Sequence, residues 1–180
     1  GVKATGRKFV FIVDSSMSMK NGKFEAACEE LMYSISRLSK DQYFYVLFFD
    51  HDAAKMTFDG KKEPEPRCVP ATSPNIVSLG KWVKTVQLEL RTDPYDCVEF
   101  ALTLYPDAIY ILTDGQFTDK GKTVNYLKKE NLYNDPIDGI RPKTIIHTVG
   151  FYQRDGETTL MPLAKLHGGT YRFVPPPGKK

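Results

Sequence analysis

The chain has 180 residues, 41% hydrophobic and 26% charged, with a formal charge of +3, which suits one domain around a sizeable core and excludes a disordered or fibrous chain. No apolar run approaches the roughly 20 residues that cross a bilayer, and the slight basicity rests partly on Lys179 and Lys180 in a Pro-Pro-Pro-Gly-Lys-Lys tail. We therefore read one domain over 1–180, with an ordered core over about 7–174, a flexible tail over 175–180 and no transmembrane segment.

In chain order, Lys8 to Asp14 (KFVFIVD) is an apolar run of β-formers ending in a carboxylate, the pattern of a buried parallel strand. Phe24, Ala27, Cys28, Leu31, Met32, Ile35 and Leu38 then share one face at helical spacing, predicting a helix over about Lys23 to Ser39. Tyr43 to Asp50 (YFYVLFFD) repeats the strand pattern. Ala54 to Phe58 can return beside it through a turn at His51 and Asp52. The proline-bearing stretch Asp59 to Asn75 reads as a long loop. Ile76, Leu79, Trp82, Val83 and Val86 predict a second helix, and a third runs from about Asp93 or Pro94 to Leu104. Ala108 to Asp114 (AIYILTD) is another strand ending in a carboxylate, followed by a helix over Lys120 to Asn131 and a closing loop over Asn134 to Pro142. Lys143 to Gly150 reads as a strand, Thr158 to His167 as a helix and Thr170 to Val174 as a last strand, with no helix after it.

Strands alternating with helices imply an α/β fold: a three-layer, Rossmann-like, doubly wound sheet, mostly parallel with one antiparallel edge strand. Ligands bind such sheets beyond the carboxyl ends of the strands. Asp14 and Asp114 both end strands there. Asp14-Ser15-Ser16-Met17-Ser18 is a D-x-S-x-S pattern between strand and helix. A carboxylate with two hydroxyls offers hard oxygen ligands, suited to Mg²⁺, Mn²⁺ or Ca²⁺ and poor for zinc. Thr92, between the middle helices, can return to the same end of the sheet. The competing reading makes Ser16 and Ser18 ordinary helix-capping or turn residues.

D-x-S-x-S after the first strand, Thr92 between the middle helices and Thr113-Asp114-Gly115 after a core strand together resemble the metal-ion-dependent adhesion site of von Willebrand factor type A domains. The resemblance extends over almost the whole chain. It implies that Asp14 anchors the metal, usually through water, that Ser16 and Ser18 are direct hydroxyl ligands, that Thr92 is a third hydroxyl ligand and that Asp114 is the second carboxylate. Gly115 would only allow the turn. The function implied is divalent-metal-dependent protein binding, with an Asp or Glu of a partner protein taking an open coordination position. Arg91 stands where the family often has glycine, and with His51 and Asp52 it would rim the partner surface.

The resemblance fits an adhesion or envelope module as well as a subunit of a larger ATP-driven or chaperone-like machine, in either case part of a longer protein and a monomer as an isolated domain. The enzyme alternative is a Mg²⁺-dependent phosphatase of the haloacid dehalogenase type, which wants a second acid where Ser16 stands. Neither a dinucleotide fingerprint nor a serine-nucleophile elbow is present. No basic stripe points to nucleic acid. His147 and His167 read as structural, the latter as a cation at a helix C-terminus. Cys28 and Cys97 read as small buried helix residues.

Overall fold

The structure is a computed structural model that describes residues 6–50, 53–58, 61–89, 93–115, 117 and 120–178. Its framework is a seven-stranded sheet. Strand β1 (Lys8–Asp14) lies centrally, parallel to β2 (Tyr43–Phe49) on one side and to β5 (Ala108–Thr113) on the other. Beyond β5 follow β8 (Ile145–Phe151) and β9 (Tyr171–Val174), also parallel. The outer edge of β2 is closed by antiparallel pairing, with β3 (Ala53–Lys55) near one end and the two-residue β4 (Val69–Pro70) near the other.

Aromatic contacts show how the layers stack. Phe48 on β2 meets Phe24 of α1 (Lys23–Ser36) and Trp82 of α2 (Ser73–Val83), with ring centroids 5.8 and 5.4 Å away. Tyr45, of opposite parity on the same strand, meets Phe100 of α3 (Tyr95–Thr103) at 5.4 Å. Because successive side chains of a strand point to opposite faces, α1 and α2 cover one face and α3 the other. Helix α4 (Lys120–Asn131) packs beside α3, and α5 (Glu157–Leu166) covers β8 and β9. The aromatic residues of the first two strands are thus core: Phe9, Phe11, Phe44, Tyr45, Phe48 and Phe49 are buried, and only Tyr43, at the start of β2, is exposed. Burying each such side chain contributes roughly 1.5–3 kcal/mol.

Two stretches differ from expectation. The loop predicted over Asp59 to Asn75 contains β4 and ends early, because α2 begins at Ser73 with Pro74 in its first turn, where a missing N–H costs nothing. The closing loop predicted over Asn134 to Pro142 is a hairpin of β6 (Leu132–Asp135) and β7 (Gly139–Pro142). Asp135 organises its turn by accepting the Ile137 and Asp138 N–H groups at 2.9 and 3.0 Å, and Gly139 takes the positive φ of 76°. Its strands alternate no apolar face: Ile140 is 70% exposed and Tyr133 43%. Periodicity therefore could not show them. Among the described residues no helix is long and apolar enough to cross a membrane, and none follows β9.

Candidate metal centre

Adjacent parallel strands end together, so β1 and β5 deliver Asp14 and Asp114 to the same edge, with Val13 opposite Leu112 in the register. Both carboxylates are fully buried. The Ser16 N–H donates to Asp14 Oδ1 at 2.9 Å and the Thr113 hydroxyl to Oδ2 at 2.5 Å, while Gly115 N–H donates to Thr113 Oγ1 at 2.9 Å. Thr113 thereby ties the two strand ends through its side chain. Burial pushes the Asp14 carboxyl up to about 6, against the lowering effect of the Thr113 and Ser16 hydrogen bonds, and the nearby Asp114 charge adds to the rise. An ionised Asp14 in this position calls for a cation.

The loop after β1 is built from both sides. Ser15 N–H and its hydroxyl both donate to Phe49 O, and the hydroxyl lies 3.2 Å from Asp50 Oδ2. Ser16 then enters a short 3₁₀ turn over Met17–Met19 with its own backbone extended. Its side chain makes no capping bond to the turn. Instead Ser16 Oγ and Ser18 Oγ lie 2.9 Å apart. The capping explanation for these two serines is thus not what the geometry displays.

One end of an adjacent connection is pinned to this loop and the other to the residue that follows β2. Glu89 N–H donates to Ser15 O at 2.9 Å, Met17 N–H donates to Glu89 O at 2.7 Å, and Asp93 N–H donates to Asp50 O at 3.2 Å. Thr92 and Arg91 belong to that connection but lie outside the described residues, as do His51 and Asp52.

Gly115 does more than permit a turn. Its φ of 83° suits glycine, and a Cβ there would stand 2.3 Å from Gly156 Cα, so the chain after Asp114 rests directly on the loop leading into α5. A second contact was not anticipated: Lys23 Nζ donates to Asp114 Oδ2 at 2.7 Å and to Gln153 Oε1 at 3.4 Å. The sequence pattern marks Lys23 only as the start of a helix. The signal was its place on the row Lys23, Ala27, Leu31, Ile35, all buried at four-residue spacing, which puts a lysine on an apolar stripe.

Asp14, Ser16, Ser18 and Asp114 thus all sit at or just beyond the carboxyl ends of β1 and β5. No group of three or more His, Cys, Asp or Glu side chains gathers among the described residues, so the candidate ligands are two carboxylates supplemented by hydroxyls. Their fit to a hard cation can be tested on the serines. Ser16 Oγ and Ser18 Oγ are hydrogen-bonded to each other at 2.9 Å, and this places the two hydroxyls about as far apart as oxygens bonded to Mg²⁺ at about 2.0–2.1 Å along an octahedral edge.

His147 and His167 lie elsewhere. His147 Nδ1 accepts the Thr170 N–H at 3.1 Å, and its ring stacks on Tyr110 at 4.8 Å. His167 does end α5, but it is fully buried, with Asn131 Nδ2 3.0 Å from its Nδ1. Burial, with Lys128 adding, pushes it down to about 4, so it is neutral rather than a cation on the helix terminus. All three cysteines are free: Cys97 and Cys68 are buried, whereas Cys28 is only partly so.

No family model and no curated protein sequence matches the chain. Compared as a structure, it is similar to a von Willebrand factor type A protein from Catenulispora acidiphila, at 17% identity and a TM-score of 0.73, covering 97% of this chain and 40% of that one. It is similar to the conserved hypothetical protein BatB from Bacteroides thetaiotaomicron, at 14% identity and a TM-score of 0.66, covering 94% of this chain and 91% of that one. A third likeness, at 19% identity and a TM-score of 0.60, is to proximal thread matrix protein 1 of the mussel byssus with a zinc-occupied MIDAS motif, covering 94% of this chain and 42% of that one. The chain therefore spans about two fifths of the first and third of these proteins' chains.

Proposed function

The chain has the fold of von Willebrand factor type A domains, and from that premise we propose that it is a non-enzymatic, divalent-metal-dependent protein-binding module. The observation that carries the reading is the pair of hydroxyls, Ser16 and Ser18, 2.9 Å apart beside the buried carboxylate of Asp14. Ser16 and Ser18 would hold the cation directly, Asp14 and Asp114 would supply its carboxylates, and Thr92 would complete the set. The anchoring of Glu89 and Asp93 on either side of 90–92 supports Thr92 in that role.

When bound, a cation with few protein ligands supplies an open coordination position that a partner's Asp or Glu can take. The residues of this chain do the rest. Thr113 and the Ser16 N–H hold both oxygens of Asp14 in place, so the anchor is set before a partner arrives. The buried flanks exclude water from the carboxylates, which strengthens their attraction for a cation. Arg91, His51 and Asp52 would border the contact.

Oxygen ligands favour Mg²⁺ or Mn²⁺, with Ca²⁺ as a larger alternative, while the zinc-occupied motif of the mussel protein makes Zn²⁺ a competitor to include. The phosphatase reading draws little support: both Asp14 oxygens already accept hydrogen bonds, and Ser16 stands where a general acid is required.

Calorimetric titration with Mg²⁺ and Mn²⁺ tests the proposal. The intact chain should bind one ion, and Ser16→Ala together with Ser18→Ala should weaken binding at least about tenfold while the melting curve stays cooperative. Binding that is absent, or indifferent to the loss of both hydroxyls, would reject it.

A further inference from the structure

We infer that Lys23 is a resident counter-ion of this centre, a tethered cation that weakens metal retention until a carboxylate arrives from outside. The inference rests on the metal-binding reading above and adds a dependence that the ligand residues alone do not imply.

The ion pair is built into the fold. Lys23 Nζ lies 2.7 Å from Asp114 Oδ2, with the two side chains 9% and 0% exposed. One oxygen of the second carboxylate is therefore already committed to an ammonium. Lys23 is the first residue of α1, where the helix dipole disfavours a positive charge. Something else must hold it there, and Asp114 with Gln153 Oε1 does so. The position is also fixed from outside the helix. Tyr152 donates its hydroxyl to Gly22 O at 3.1 Å, and Gly22 precedes Lys23 at a φ of 86°. These contacts fix the backbone from which the Lys23 side chain reaches Asp114.

Formal charge then orders the events. Asp14, Asp114 and Lys23 together carry one negative charge, and Asp50 stands one hydroxyl farther out, behind Ser15. A divalent cation beside Asp14 and Asp114 would turn that single negative charge into a single positive one in a buried setting, which is costly. A partner carboxylate brings it to zero. Without Lys23 the same two carboxylates would neutralise the ion unaided. Lys23 thus lowers affinity for the ion alone and couples ion binding to an acidic ligand, so that each raises the other's affinity by the same factor.

The probe is Mn²⁺, with free ion read from its electron paramagnetic resonance signal, in the absence and presence of acetate as a minimal carboxylate. Wild type should bind Mn²⁺ more tightly when acetate is present. Lys23→Met should bind Mn²⁺ at least tenfold more tightly than wild type without acetate and should lose most of the acetate effect, whereas Lys23→Arg should resemble wild type. Lys23→Gln serves if the Met variant does not melt cooperatively. Equal Mn²⁺ affinity in wild type and the neutral variant, or an acetate effect absent from wild type, overturns the inference while leaving the metal centre standing. Failure of both proteins to bind Mn²⁺ overturns the two together.

Discussion

Replacing Asp14 by Asn is expected to make the metal-free protein more stable and the metal-loaded protein no better, or worse, than wild type. Burial pushes the Asp14 carboxyl from its ordinary 3.8 to about 6. The folded state therefore binds this proton more tightly than the unfolded state, so the contribution of Asp14 to stability is fully present below pH 3.8 and is lost as the pH rises through about 6. At 1.36 kcal/mol per pH unit, the full cost at pH 7 is about 3 kcal/mol. Asn keeps the shape, and its carbonyl oxygen can still accept the Ser16 N–H. Its amide would face Thr113, whose hydroxyl can turn to accept. Allowing for imperfect replacement of that short bond, the variant should gain about 1–3 kcal/mol in EDTA at pH 7, which for a chain of this size raises Tm by roughly 2–12 °C. Wild type should gain about 2.7 kcal/mol from Mg²⁺ at a hundred times its Kd, and the variant far less, so the gap closes or inverts. Urea unfolding followed by circular dichroism, in EDTA and in Mg²⁺, measures all four states. An Asn variant less stable than wild type in EDTA would refute the argument from burial, and equal Mg²⁺ gains would refute the assignment of Asp14 as the anchor.

Two further outcomes follow from geometry. Gly115→Ala combines a φ of 83° with a Cβ placed 2.3 Å from Gly156 Cα; it should cost about 3 kcal/mol or more in urea unfolding and weaken Mg²⁺ binding by displacing Asp114, and a near-neutral result would show that the two loops separate easily. His167 has the opposite pH sign to Asp14: its folded value of about 4 lies below its ordinary 6.5, so stability present above 6.5 is lost as the pH falls towards 4. That loss amounts to about 3 kcal/mol, and His167→Gln should flatten the stability profile over this range relative to wild type; parallel profiles would mean that the ring escapes to solvent before it is protonated.

Much of the fold could be read from residue order because burial leaves a simple imprint. KFVFIVD and AIYILTD carry continuous apolar runs before their terminal carboxylates since β1 and β5 are covered on both faces, and α4 spans Lys120–Asn131, where a helix was expected. The β6–β7 hairpin left no such imprint, because most of its side chains meet water and Asp135 sets its turn. Lys23 escaped for a related reason. A lysine at a helix start is ordinarily solvated, and only its i+4 row with Ala27, Leu31 and Ile35 hinted otherwise.

By itself the sequence determined that two carboxylates would end buried strands and that Ser16 and Ser18 would follow the first of them, since these depend on hydrophobic pattern and on local chain geometry. Only the tertiary structure decided that β1 and β5 are neighbours, that the Thr113 hydroxyl closes on Asp14, and that an ammonium from α1 reaches Asp114. Those contacts join residues 91 to 99 positions apart. Strand pairing and helix packing bring them together through non-local burial, and no local preference of the chain records it.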